Sequence, residues 1–227
     1  MNDKNHDENA PPVLVWDIPT RLFHWTLVLL FFSAWITAEI GGDLMDIHMF
    51  IGYTLLSLAL FRWVWGFAGS QTARFADFVR GPRAALAHIA EVRAGKAGAQ
   101  SGHNPLGGWM VLALLVLLPV QACTGLFASD DILTDGPLKH LVSDDVSRLL
   151  THVHHLVFTA MLILVIVHVA AIIAYRVRLR ENLVLPMLTG YKALPPGAPR
   201  PRIVSPWRAL LVFLMCAGFV ALVVNLA

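Results

Sequence analysis

Five stretches of the chain are almost wholly apolar, at about 22–40, 48–67, 106–127, 153–175 and 207–227, and polar residues gather between them. Each stretch is near the ~20 residues that an α-helix needs to cross a ~30 Å hydrocarbon core. The pattern predicts an all-α fold, an integral membrane helical bundle with five transmembrane helices. It divides the chain into an amino-terminal segment (1–20), a four-helix unit (21–192), a Pro-rich linker (193–206) and a fifth transmembrane helix (207–227). Pro119 is expected to kink the third helix. The stretch from Gly81-Pro82-Arg83 to Gly95 reads as a short helix on the membrane surface, with Pro in its first turn and Gly at its end. Its Leu86, Ile89 and Val92, or Val79, would face lipid, and its basic residues would suit anionic headgroups.

Composition agrees with this. Of 227 residues, 57% are apolar and 14% charged, against about 25% charged in a soluble domain. Several acids precede the first stretch, which contains the bulky pairs His24-Trp25 and Phe31-Phe32. No small-x-small site follows it, so it reads as a retained helix and not a cleaved signal. Cys123 and Cys216 lie in separate apolar stretches, with no CxxC or CxxCH. They read as buried small hydrophobic residues. A net charge of +2 implies no nucleic-acid partner.

The distribution of charge says more than its total. The segment 68–105 carries Arg74, Arg80, Arg83, Arg93 and Lys96, and the segment 176–206 carries Arg176, Arg178, Arg180, Lys192, Arg200 and Arg202. The 41–47 link has no Lys or Arg. The 128–152 link sets Lys139 and Arg148 against Asp130, Asp131, Asp135, Asp144 and Asp145. The positive-inside rule then puts both basic segments and the amino terminus in the cytoplasm, and the carboxyl terminus outside. Trp16, Trp25, Trp63, Trp65, Trp109 and Trp207 lie near the ends of the apolar stretches, as an aromatic belt would.

Histidines inside the apolar stretches carry the candidate chemistry, because an ionisable group in a bilayer is costly. His154 and His168 share the fourth stretch, fourteen residues apart. At ~100° per residue they return to within about 40° of one direction, with a rise of ~21 Å between them. His155 falls about 140° and His152 about 160° from the direction of His168, so His154 is preferred for that stripe. His155 and His152 then face another helix, the interface or a haem propionate. Under the topology above, His24 matches His168 in depth on the inner side, and His48 matches His154 on the outer side. Four such histidines suit two bis-histidine haems, since a flat apolar ring fits between helices of a bundle and imidazoles are good axial ligands. Two ligands per iron leave no open position, which favours electron transfer. A zinc site would need four ligands close together.

Gly52, one turn after His48, would let a large ring approach the backbone or would serve close helix packing; the sequence leaves both open. Arg62 would pair with a haem propionate or snorkel to the interface, and snorkelling is the default. His103 reads as an interface or quinone-pocket residue, and His6, His88 and His140 as solvent-side. A rival class is a haem-free histidine-relay proton or metal transporter using His152, His154 and His155. Another is a plain membrane anchor for a redox enzyme complex.

The run Val15-Trp16-Asp17-Ile18-Pro19-Thr20-Arg21-Leu22-Phe23-His24-Trp25 resembles the opening of bacterial membrane cytochromes b of the cytochrome b561 type, relatives of the b-type subunit of nickel–iron hydrogenases. His48 to Tyr53 with Phe61-Arg62, then His103 to Trp109 with Thr124-Gly125-Leu126-Phe127, and finally His154 with His168, extend the resemblance over about residues 13–192. It implies a four-helix haem-binding core with a fifth transmembrane helix added. His24, His48, His154 and His168 would be axial ligands of two non-covalent b haems in a bacterial inner (plasma) membrane protein of the respiratory chain. It also implies electron exchange with the quinone pool. The redox partner would be a c-type cytochrome, a hydrogenase-like enzyme, or superoxide as in one branch. Whether the chain is itself a quinone-linked oxidoreductase or superoxide oxidase, or a subunit of one, is left open. His155 stands where the family often has a carboxylate, and the fifth helix carries no histidine.

Overall fold

The computed structural model describes residues 12–95, 100–130, 134–195 and 197–226; His6, Lys96, Asp131, Pro196 and Ala227 lie outside them. Five long helices dominate: α1 (Ile18–Ile40), α2 (Met45–Ala68), α5 (Pro105–Gly125), α6 (Asp144–Arg178) and α8 (Pro206–Asn225). Each is long and apolar enough to cross a membrane. Short elements join them: β1 (Val13–Leu14), α3 (Phe75–Phe78), α4 (Pro82–Arg93), α7 (Val184–Thr189) and β2 (Tyr191–Lys192). The chain is an all-α membrane helical bundle with one two-residue antiparallel strand pair.

Local chemistry explains where the long helices begin. Asp17 caps α1, its carboxylate accepting the Thr20 N–H at 2.8 Å, with Pro19 in the first turn. Asn104 caps α5 through the Gly107 N–H, ahead of Pro105. The largest departure from the apolar pattern is α6, which starts at Asp144 rather than near 153. Ser143 caps it and Asp144 and Asp145 fill its first turn, where the helix dipole favours negative charge. The apolar stretch marks only the part of this helix that needs lipid; the helix itself extends past it at both ends.

The close backbone pairs are α1 with α2, α2 with α5 and α8, and α5 with α6. Between α6 and the α1–α2 pair, contact runs through long side chains: Phe31, Ile51, Leu55, Leu118, Val157 and Met161 form one apolar cluster. A second cluster joins Phe23, Leu58, Phe61, Trp65, Leu115 and Ala209, so α8 packs on α2 at its start.

The residues before α1 and the two basic segments, after α2 and after α6, form one layer at a single end of the bundle. The Val15 and Trp16 N–H groups donate to the Gly190 carbonyl, and the Gln71 N–H donates to that of Arg202. Thr72 Oγ1 donates to the Val15 carbonyl, and the Val204 N–H donates to Ser70 Oγ. Val15, Trp16 and Leu194 are buried together. The Pro-rich stretch before α8 is therefore bound into this cap along much of its length. Gly190, at φ 90°, turns the chain between α7 and β2, and a Cβ there would lie 2.9 Å from the Trp16 carbonyl oxygen. Two of the expected belt tryptophans are core residues instead, Trp16 at 7% and Trp65 at 1% exposure. Cys123, expected to be buried, is exposed; on a membrane helix an apolar residue needs no protein around it.

Candidate functional site

His48, on the first turn of α2, and His154, on α6, meet with ring centroids 6.3 Å apart and planes at 77°. His48 Nδ1 lies 2.9 Å from the Ala34 carbonyl oxygen. His154 Nδ1 lies 2.9 Å from that of Gln121, with Thr124 Oγ1 at 3.3 Å. A carbonyl only accepts, so both Nδ1 atoms carry the proton, and each neutral ring keeps its lone pair on Nε2. The Gln121 side-chain amide donates to that lone pair on His154, at 3.0 Å.

This pair fits an axially ligated metal in three respects. Two imidazoles bound to one ion from opposite sides, each through nitrogen at about 2.0–2.1 Å, hold their centroids about 6 Å apart. Ligating histidines usually donate their other N–H to a carbonyl or carboxylate, as both do here. A Cβ on Gly52 would meet nothing within 4 Å, so the face of α2 one turn beyond His48 borders open space and not a packed helix.

The second pair lies toward the capped end. His24 is half-buried on α1, edge-on to Trp25, with Nδ1 buried and unpartnered among the described residues. His168 sits on the same uninterrupted helix as His154, near enough to His24 for their charges to interact. His103, in the connection before α5, lies between Trp16 and Phe78, at ring distances of 4.7 and 4.6 Å. Burial, and then the charges of Arg62, His168 and His24, push its imidazole down to about 3.

Arg62 does not snorkel. It is 2% exposed, its guanidinium 5.5 Å from the Phe75 ring and 5.9 Å from that of Phe78. Its Nη1 is buried without a hydrogen-bond partner among the described residues. The default expectation fails because the cap covers the end of α2 and leaves the side chain no water to reach. Asp17 interacts with this charge and also accepts the Trp65 Nε1–H at 3.1 Å. Beside them the cap holds a cavity of about 430 Å³, lined among others by Gln71, Thr72, Arg80, Gln100, His103 and Arg200.

The other histidines separate. His152 and His155 are exposed, although the His155 ring stands 6.1 Å from that of His154. His140 is exposed as well. His88, expected on the solvent side, is 3% exposed and meets the Tyr175 hydroxyl at 2.7 Å, which also accepts from Asn104 Nδ2. The amphipathic helix α4 is thus fastened to α5 and α6 through this histidine. Sequence reading missed Asp17, Gln121 and Gly125 as site residues. Asp17 left a signal as a cap residue two before Pro19, and Gly125 as part of the Thr124-Gly125-Leu126-Phe127 run; Gln121 left none. Among the described residues, no group of three or more His, Cys, Asp or Glu side chains is placed to hold a metal ion.

No curated protein matches the chain. The family model for prokaryotic cytochrome b561 matches residues 15–190, a span that includes all four paired histidines, Gly52, Arg62 and His103. The chain belongs to the prokaryotic cytochrome b561 family.

Proposed function

We propose that this membrane b-type cytochrome carries single electrons between two depths of the bilayer through two non-covalent b haems. The pair His48 and His154 would hold one haem, and His24 and His168 the other. Residues 21–192 would form the haem-binding unit, with α8 as a structural or docking helix. The observation that carries the reading is the His48–His154 pair: rings 6.3 Å apart and each Nδ1–H committed to a backbone carbonyl, which makes Nε2 the ligating atom of each ring; the Gln121 amide that donates to Nε2 of His154 would turn aside for a metal.

Haem would supply a reversible one-electron iron couple at each pair. The protein's part is to hold and orient. The carbonyls of Ala34 and Gln121 fix the ligating tautomer, and Gly52 leaves room for a flat ring. Phe31, Ile51, Leu55, Val157 and Met161 keep water from the space between the pairs. Arg62 puts a buried positive charge close to His103, and its Nη1, without a partner among the described residues, would be available to a propionate. His155 would sit at the margin of the outer group. Along α6 the fourteen residues between ligands set a ~21 Å separation in depth, most of the hydrocarbon thickness.

The basic cap favours a cytoplasmic location for the His24–His168 end in a bacterial plasma membrane. The cavity walled by His103 would admit a quinone headgroup, its polar lining offering hydrogen bonds to carbonyl oxygens. The outer end would face a redox partner protein. Haem counted per chain in four single variants tests the ligand set. His48→Ala and His154→Ala should each lose the same haem, and His24→Ala and His168→Ala the other, as told by their potentials. Loss on His155→Ala but not on His154→Ala would overturn the assignment.

A further inference from the structure

Helix α5 contributes no histidine, yet its last turn touches His154 from three sides. The Gln121 carbonyl takes the Nδ1–H at 2.9 Å. Thr124 Oγ1, whose own proton goes to the Val120 or Gln121 carbonyl, offers that N–H a second acceptor at 3.3 Å. Gly125 supplies the floor: a Cβ there would lie 3.0 Å from His154 Cε1 and 3.2 Å from Nδ1. Contacts that close are tighter than ordinary van der Waals packing, so a side chain at 125 would force the ring to tilt or the helix to retreat.

Retreat is opposed from behind. The Leu138 N–H donates to the Leu126 carbonyl, and Ser147 Oγ, at 1% exposure, donates to that of Phe127 at 2.8 Å. Gly136 presses on the same turn, where a Cβ would meet the Leu126 carbonyl oxygen at 2.5 Å. The turn after α5 is therefore locked to the start of α6, and the ring is the part free to yield.

We propose that the last turn of α5, Gln121 to Gly125, is a positioning cradle that fixes the tautomer and ring plane of His154, and through them the retention and electronic state of the outer haem. This rests on the reading that His154 is an axial ligand. Partners that orient metal-binding histidines typically change metal affinity about 10–100-fold when removed.

The test compares purified full-length variants by haem per chain, low-spin electron paramagnetic resonance and the rate of haem transfer to apomyoglobin. Gly125→Ala should change the largest g value of one haem and speed its loss about 10–100-fold, leaving the other as in wild type. Gly218→Ala, whose added Cβ would meet nothing within 4 Å, should behave as wild type. Thr124→Val should shift the same haem in the same direction by less, and Thr124→Ser should restore wild-type behaviour. These two carry the test if Gly125→Ala does not fold. Unchanged g values and transfer rates in Gly125→Ala, or in Thr124→Val when that is the folded variant, would overturn the cradle. His154→Ala separates the two claims. If it retains both haems, the ligand reading fails and the cradle with it; if it loses one while the cradle variants match wild type, only the cradle fails.

Discussion

Asp17→Asn should weaken the fold well beyond what a one-atom change on a surface would do. The Asp17 carboxylate serves two buried donors, the Thr20 N–H at 2.8 Å and the Trp65 Nε1–H at 3.1 Å, and offsets the charge of Arg62. Asparagine has one acceptor oxygen. It can cap α1 or receive the Trp65 N–H, and its amide then meets the other donor. Asparagine caps as well as aspartate, so the loss falls on the Trp65 bond. A hydrogen bond to a charged group contributes about 1.5–3 kcal/mol, and the unmatched amide adds to this. Asp17→Ala should cost about 1 kcal/mol more through the lost cap. In a Trp65→Phe background, Asp17→Asn should be nearly free of the hydrogen-bond cost, giving a coupling energy of about 1–3 kcal/mol. Unfolding in mixed micelles, followed by helical circular dichroism, measures these differences. A single-variant loss below about 0.5 kcal/mol, the range of ordinary surface changes, would refute the reasoning, and so would strict additivity with Trp65→Phe.

Two further outcomes follow from the same geometry. Gly52→Phe would extend a ring into the open space beside His48, so the helical content should stay unchanged while about one haem per chain is lost; a variant that keeps its full haem would refute the role of Gly52. His103 is held neutral, its value depressed from the ordinary 6.5 to about 3. Its contribution to stability is therefore complete above the unfolded value and is lost as pH falls from there toward 3. His103→Gln should flatten the decline of thermal stability between pH 7 and 5, and an unaltered slope would refute this.

The five helices were legible because a membrane imposes its thickness on every spanning segment, whatever the tertiary contacts. The depth match between His48 and His154 was legible for a related reason: helical rise and alternating topology fix depth without knowledge of packing. What escaped depends on contacts distant in sequence. Asp17 and Trp65 meet across 48 residues, Gln121 and His154 across 33, and His88 and Tyr175 across 87, and no local pattern announces such pairs. The snorkelling default for Arg62 failed because snorkelling assumes that water lies beyond the helix end, where this chain folds a cap. The start of α6 was misplaced because hydropathy reports where lipid is, and Asp144 and Asp145 are helical outside it.

The most direct measurement is pyridine haemochrome quantification on the purified protein, combined with a redox titration of its reduced-minus-oxidised spectrum. Two b haems per chain, titrating as two one-electron components, are the expected result. Protein made with ample haem that binds none, or that binds a single haem insensitive to both His48→Ala and His154→Ala, would contradict the pairing on which the proposed electron path depends.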